Sequence, residues 1–144
     1  VATLKDFGIT PIVRVLSAHR TPAEACAFAS SARANGIETI ICAAGGAAHL
    51  AGVIAAHTTL PVIGIPLDNP PLGGLDALLA TVQMPGGVPV ATVGVGRGGP
   101  INAALTALRI LGVSDSEMAA KLDAFVDTQH DRVLDKDAKL QGLI

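Results

Sequence analysis

The sequence predicts an α/β fold: a doubly wound parallel sheet forming a three-layer sandwich with helices on both faces. Three observations carry that prediction. Short apolar runs alternate with helical segments at βαβ spacing. One of those runs, residues 37–42 (IETIIC), is nearly continuous in apolar residues, as a strand covered on both faces must be. Glycine and proline punctuate the joins between segments.

In chain order, residues 11–16 (PIVRVL) read as a short strand. A helix follows from Thr21-Pro22-Ala23-Glu24, where Thr21 suits the cap, Pro22 the first helical position and Glu24 a capping box. Gly36 stops that helix as a left-handed cap. Residues 37–42 form the next strand, and Gly45-Gly46 opens a helix through Ala56 that carries His49 on its first turn. Residues 61–65 (PVIGI) are a third strand, residues 75–82 a short helix, and residues 88–95 (VPVATVGV) a fourth strand. Pro100 marks the start of a helix running to Gly112. A polar amphipathic helix over residues 114–136 closes the chain, with Ser114-Asp115-Ser116-Glu117 as a second capping box. Its apolar positions Met118, Leu122, Phe125, Val126 and Val133 fall on one face.

Composition narrows the function. The 144 residues suit one domain, residues 1–144, and a 50% apolar content with mean hydropathy +0.53 excludes disorder. No apolar run reaches the roughly 18 residues of a membrane helix, and no targeting segment opens the chain, which predicts a cytoplasmic location. Ten basic against twelve acidic side chains, with only three Phe, argue against nucleic acid as a partner. Aromatics make up 2% of the chain, so its hydrophobic mass is Ala, Val, Leu and Ile. Such surfaces pack closely and flatly, which points toward an oligomer. Cys26 and Cys42 read as two free, buried small hydrophobes, and no cluster has metal-ligand spacing.

In a doubly wound sheet, ligands sit beyond the carboxyl ends of the strands. The loop Ser17-Ala18-His19-Arg20-Thr21-Pro22 sets a hydroxyl, an imidazole and a guanidinium at such an end, before a helix N-terminus that favours anions. His19 is of the one side-chain type that exchanges protons near neutral pH unaided. The loop Ala43-Ala44-Gly45-Gly46-Ala47-Ala48-His49-Leu50 lets a ligand approach the backbone, and matches neither a Walker loop nor GxGxxG. The Pro- and Gly-rich residues 67–74 (LDNPPLGG) form a lid or wall, and His57 and His130 read as solvent-exposed. On residues alone, a plain surface loop at His19-Arg20 and a structural role for His49 both stay open. The residues give a site for a small anionic ligand with His19 as acid/base, without naming a reaction.

The runs SAHRTP (residues 17–22), AAGGAAHL (43–50), TTLPVIGIP (58–66) and GLDALLATVQMPGGVPVATV (74–93), in this order and at these distances, resemble the class I N5-carboxyaminoimidazole ribonucleotide mutases of de novo purine synthesis. The older name for that family is the catalytic subunit of phosphoribosylaminoimidazole carboxylase. The resemblance covers essentially the whole chain, and Arg20 matches the mutase class where the carboxylase class using free carbon dioxide reads SAHK. It implies a flavodoxin-like fold, with His19 as the general acid/base. Ser17, Ala18 and Arg20 would bind the ribonucleotide, Arg20 near its phosphate; Gly45, Gly46, Ala47, His49 and Leu50 would wrap the imidazole and carboxylate end.

It further implies a decarboxylation–recarboxylation in a closed pocket, no metal and no cofactor. A homo-octamer is implied too, in which the closing helix packs on a neighbouring protomer. The alternatives are an aminoimidazole ribonucleotide carboxylase using free carbon dioxide and a non-catalytic ribonucleotide-binding module. The family opens with a strand and a GSxSD loop that hold phosphate and ribose, whereas this sequence opens Val1-Ala2-Thr3-Leu4 without an initiator Met. One upstream βα unit is therefore expected; without it, two parallel strands keep unpaired edges beside an exposed apolar groove. Ala51, where Pro is usual, and Asp68-Asn69-Pro70-Pro71 depart from the family pattern.

Overall fold

Three parallel strands, β1 (Ile40–Ala44), β2 (Val62–Pro66) and β3 (Ala91–Thr92), form a sheet in the order β1-β2-β3. The structure is a computed structural model and describes residues 1–143. The helices are α1 (Ala2–Asp6), α2 (Pro22–Ala32), α3 (Leu50–Ala56), α4 (Leu75–Val82), α5 (Gly98–Gly112) and α6 (Ser116–Gln141). The chain divides into two compact units, Val1–Ala107 and the part from Leu108 onward. No helix among the described residues is long and apolar enough to cross a membrane.

The first unit is built on β2, whose five residues are all buried. In the parallel register Ile40 pairs with Val62, Cys42 with Gly64 and Ala44 with Pro66. Residues 40, 42, 62 and 64 therefore share one face, since side chains alternate along a strand. That face carries the core: Ala25, Ala29 and Ala32 of α2, Ile40 and Cys42 of β1, Ala51 and Ile54 of α3, and Leu60 and Val62. The α2 contribution is wholly alanine at helical spacing, which lets helix and sheet approach closely. Gly64 takes this to its limit. A Cβ there would overlap the Thr81 methyl of α4, so only glycine lets α4 lie against β2. On the opposite face Gly99, near the start of α5, lies against Ile65, completing the third layer.

The expected strand over residues 11–16 is not formed. Residues 10–16 make no backbone–backbone hydrogen bond among the described residues, and Ile12, Val13 and Val15 are 65%, 65% and 99% exposed. A strand exists only by pairing, and nothing in the first unit bonds to this segment; β1 is likewise the edge of its sheet. Other boundaries also move. Pairing of β1 begins at Ile40 rather than Ile37 and carries on to Ala44, because its register starts opposite Val62. The helix expected from Gly45-Gly46 begins only at Leu50, and the expected strand over residues 88–95 is paired only at Ala91–Thr92. Helix α4 matches its expected bounds, and Gly36 is left-handed (φ 75°) as expected.

In the second unit, the close of α5 meets the opening of α6, where Gly112 leaves room for Leu122. The α6 cap is Asp115, not Ser114: its carboxylate accepts from the N–H groups of Glu117 (2.9 Å) and Met118 (3.0 Å). The Ser114 hydroxyl instead turns back to the Leu111 carbonyl. Helix α6 buries Met118 but leaves Val126, Val133, Leu134 and Leu140 at least half exposed.

Both cysteines are free. Burial pushes the Cys42 thiol up to about 12 from its ordinary 9.0. The unfolded thiol therefore loses its proton first, so this group's contribution is intact below pH 9 and is lost as pH rises toward 12. Cys42→Ala is expected to flatten the decline of unfolding free energy between pH 9 and 12, measured by denaturant titration at each pH.

Candidate active site

The turn before α2 is shaped by its own hydroxyls. Ser17 Oγ accepts hydrogen bonds from the N–H groups of His19 (3.3 Å) and Arg20 (3.1 Å). The Ser17 N–H donates to Thr21 Oγ1 (2.8 Å), and the Thr21 hydroxyl donates to the Ser17 carbonyl (3.2 Å). The five residues thus close on themselves and fix the backbone from which His19 and Arg20 project. This corrects the expected capping box. Thr21 stands at the α2 N-cap but makes no side-chain cap bond, because its hydroxyl is engaged within the turn. Ser17 keeps its own hydroxyl hydrogen for a further acceptor.

The second loop follows β1. Gly46 is left-handed (φ 62°), and tight bonds run from Ala48 N–H to the Gly46 carbonyl and from His49 N–H to the Ala47 carbonyl, both 2.8 Å. The second takes the His49 amide that a helix starting at Gly45 would direct to the Gly45 carbonyl, and the two set His49 at the α3 N-cap rather than in its first turn. Its carbonyl accepts from Val53 N–H (3.0 Å), tying the residue to α3.

The two loops meet through their histidines. His19 Nε2 lies 2.9 Å from His49 Nδ1, with the rings edge-on at 88° and their centroids 4.9 Å apart. Thirty residues separate them in sequence; the His49 loop leaves the carboxyl end of β1, and the Ser17 turn reaches it from the start of α2, which packs on the same core as β1 and α3. The third loop joins them from β2. Leu67 N–H donates to the Ala44 carbonyl (2.9 Å), and the Asn69 side chain packs so closely on Gly45 that a Cβ there would overlap its amide. Asn69 was not among the expected site residues; its place just beyond a strand's carboxyl end was the signal for it.

The remaining expected residues are distributed as follows. Ser17, Ala18, Gly45 and Gly46 are half-buried around the histidines, while Arg20 and Ala47 are exposed. Leu50 packs against the core beside α2 and β1. His19 and His49 are both exposed in the single chain, in contrast to the closed pocket expected. His57 and His130 are exposed, as expected; His57 Nδ1 meets the Val53 carbonyl and His130 Nδ1 the Asp131 carboxylate.

Paired imidazoles at the carboxyl end of β1, with Arg20 next in sequence to one of them, define an acid/base site of the doubly wound α/β class. Residues 1–132 match the family model described as AIR carboxylase. The N5-carboxyaminoimidazole ribonucleotide mutase of Mycobacterium tuberculosis is 52% identical over 142 residues, spanning 99% of this chain and 80% of that protein. The phosphoribosylaminoimidazole carboxylase of Saccharomyces cerevisiae is 51% identical over 140 residues, spanning 97% of this chain and 24% of that longer protein. The crystal structure of Treponema denticola PurE superposes with a TM-score of 0.87 at 28% identity, covering 96% of this chain and 85% of that one. The chain belongs to the AIR carboxylase family.

Because Ser17 Oγ holds two amides of this turn, Ser17→Ala is expected to destabilise the fold by about 1–2 kcal/mol, read by chemical denaturation. It should also speed hydrogen exchange at the His19 and Arg20 amides, while Ser17→Thr retains protection.

Proposed function

We infer that this chain is an N5-carboxyaminoimidazole ribonucleotide mutase of de novo purine biosynthesis, an isomerase that moves a carboxylate from nitrogen to ring carbon. The observation that carries the reading is the 2.9 Å approach of His19 to His49, which unites the SAHR and GGAAH loops in one site. The mutase relatives, about half identical over nearly the whole chain, supply the reaction.

Each residue then takes a role by its chemistry. Arg20 offers a fixed positive fork to the ribonucleotide phosphate. Gly45 and Gly46 let the imidazole ring and its carboxylate approach the backbone, and Asn69 stands against Gly45 as a wall. As the bond from exocyclic nitrogen to carboxyl carbon breaks, carbon dioxide is released and His19 supplies a proton to the nitrogen. Ring carbon C4 then bonds the carbon dioxide, and His19 removes the C4 proton, so the histidine ends as it began.

The same reading includes an upstream strand, with its GSxSD loop, paired along residues 11–16 and β1. Two features support it: those edges are unpaired, and the apolar side chains of Ile12, Val13 and Val15 are uncovered. It also includes a homo-octamer. Leu75, Leu79 and Val82 form an apolar stripe on α4 about half exposed, and Val126 and Val133 do the same on α6. Such faces are suited to burial against other copies of the chain.

Full-length protein is expected to turn over N5-carboxyaminoimidazole ribonucleotide without added bicarbonate. Turnover only with aminoimidazole ribonucleotide plus bicarbonate would assign the carboxylase reaction instead. His19→Asn is expected to lower kcat by about 10²- to 10⁴-fold while nucleotide binding persists, measured by calorimetry. Native mass spectrometry is expected to give eight protomers, with Leu79→Glu yielding smaller species.

A further inference from the structure

Two neutral imidazoles facing each other nitrogen to nitrogen must hold one hydrogen between them. With none, two lone pairs oppose; with two, the hydrogens collide. The 2.9 Å line from His19 Nε2 to His49 Nδ1 therefore couples the tautomers of the two rings. When the shared hydrogen belongs to His19, its Nδ1 is bare and accepts a proton. When it belongs to His49, the neutral His19 ring carries its hydrogen on Nδ1 and can donate one. Neither outer nitrogen, His19 Nδ1 nor His49 Nε2, has a hydrogen-bond partner among the described residues. Both rings also start from fixed backbone, His19 on the Ser17 turn and His49 on the α3 cap.

We propose that His49 is a positioning residue for the carboxylate shift: the hydrogen it shares with His19 Nε2 sets whether His19 Nδ1 meets the substrate as acid or as base. This rests on the mutase reading above. That reaction needs both states in turn, first a donor toward the exocyclic nitrogen and then an acceptor for the C4 proton. The protons balance. As His19 Nδ1 gives its proton to nitrogen, the shared hydrogen moves from His49 Nδ1 to His19 Nε2, and His49 Nε2 takes one proton from water. When C4 gives its proton to His19 Nδ1, the same transfers run backward and water regains its proton. Neither ring turns, and neither is left as an anion.

The test has two arms on full-length protein. In long-range proton–nitrogen spectra of ¹⁵N-histidine-labelled protein, wild type is expected to show the same tautomer at His19 and His49, both Nε2–H or both Nδ1–H. In His49→Phe, which keeps an aromatic ring at the cap, His19 is expected to relax to the averaged pattern of a free imidazole. In kinetics, His49→Phe should lower kcat by about 10- to 100-fold while KM moves less than about threefold. His49→Asn, whose amide falls near the position of Nδ1, should restore most of that rate. Circular dichroism confirms that both variants fold. An unchanged His19 spectrum in His49→Phe, equal impairment of the two variants, or a loss confined to KM overturns the proposal. Absence of turnover by wild type overturns the mutase reading, while the spectra, which require no turnover, still decide the tautomer coupling.

Discussion

Parallel pairing between β1 and β2 sets where chemistry can occur in this chain. Their register ends both strands together, with Ala44 opposite Pro66, so the chain leaves the sheet at one level from two neighbouring positions. The loops that follow have no room to diverge: Leu67 bonds back to Ala44, and Asn69 lies on Gly45. Gly64 holds that arrangement from below. Any side chain there would lift α4 off the sheet, and with it the Gly74 turn through which residues 67–74 return. A parallel pair with evenly spaced, slanted bonds gains slightly less per residue than an antiparallel one. Full burial of β2 on both faces compensates.

The scarcity of aromatic residues belongs to the same solution. Helix α2 presents Ala25, Ala29 and Ala32 to the sheet, and α5 buries Ala103, Ala104, Ala107 and Leu108 in a stripe of similar make. Small side chains gain little each from burial but allow backbones to approach, so dispersion contacts accumulate over flat surfaces. What such helices cannot do is cover a wide area alone. Apolar stripes on α4 and α6 remain exposed as a result, and the self-association proposed above would answer that shortage of cover without a special recognition element.

The sequence was legible wherever local rules decide the outcome. Residues 75–82 read correctly and the strand expected at 61–65 lies one residue on, at Val62–Pro66, because an apolar run and a helical run stand between clear stops, with Gly73-Gly74 before the helix. Reading failed where a partner decides. Residues 11–16 have every local mark of a strand, yet pairing makes a strand, and no strand among the described residues bonds to them. It failed again where side chains compete for the same amides. Thr21 looks like a helix cap but serves the Ser17 turn, and Asp115 outcompetes Ser114 because its carboxylate reaches two amides at once. Residues 45–49 look like a helix opening, but short bonds within the loop consume the amides first. Of the site, His19 and His49 were each visible. Their contact was not, because it depends on how α2 packs against β1 and α3 rather than on spacing.

That contact explains how an open single chain relates to the enclosed chemistry proposed for it. Carbon dioxide is small and neutral, so no charge holds it, and only walls keep it beside C4. Three walls are present: the Ser17 turn, the Gly45-Gly46 loop and Asn69. The histidines nevertheless remain exposed, so these three do not close the site. The open directions belong to the unpaired edge between residues 11–16 and β1 and to the uncovered apolar faces, where the upstream strand and neighbouring copies are proposed. Catalytic enclosure and burial of apolar surface are then one event. In the proposed assembly, covering the exposed Val15 and Leu79 side chains would supply the driving force that also shuts water away from His19.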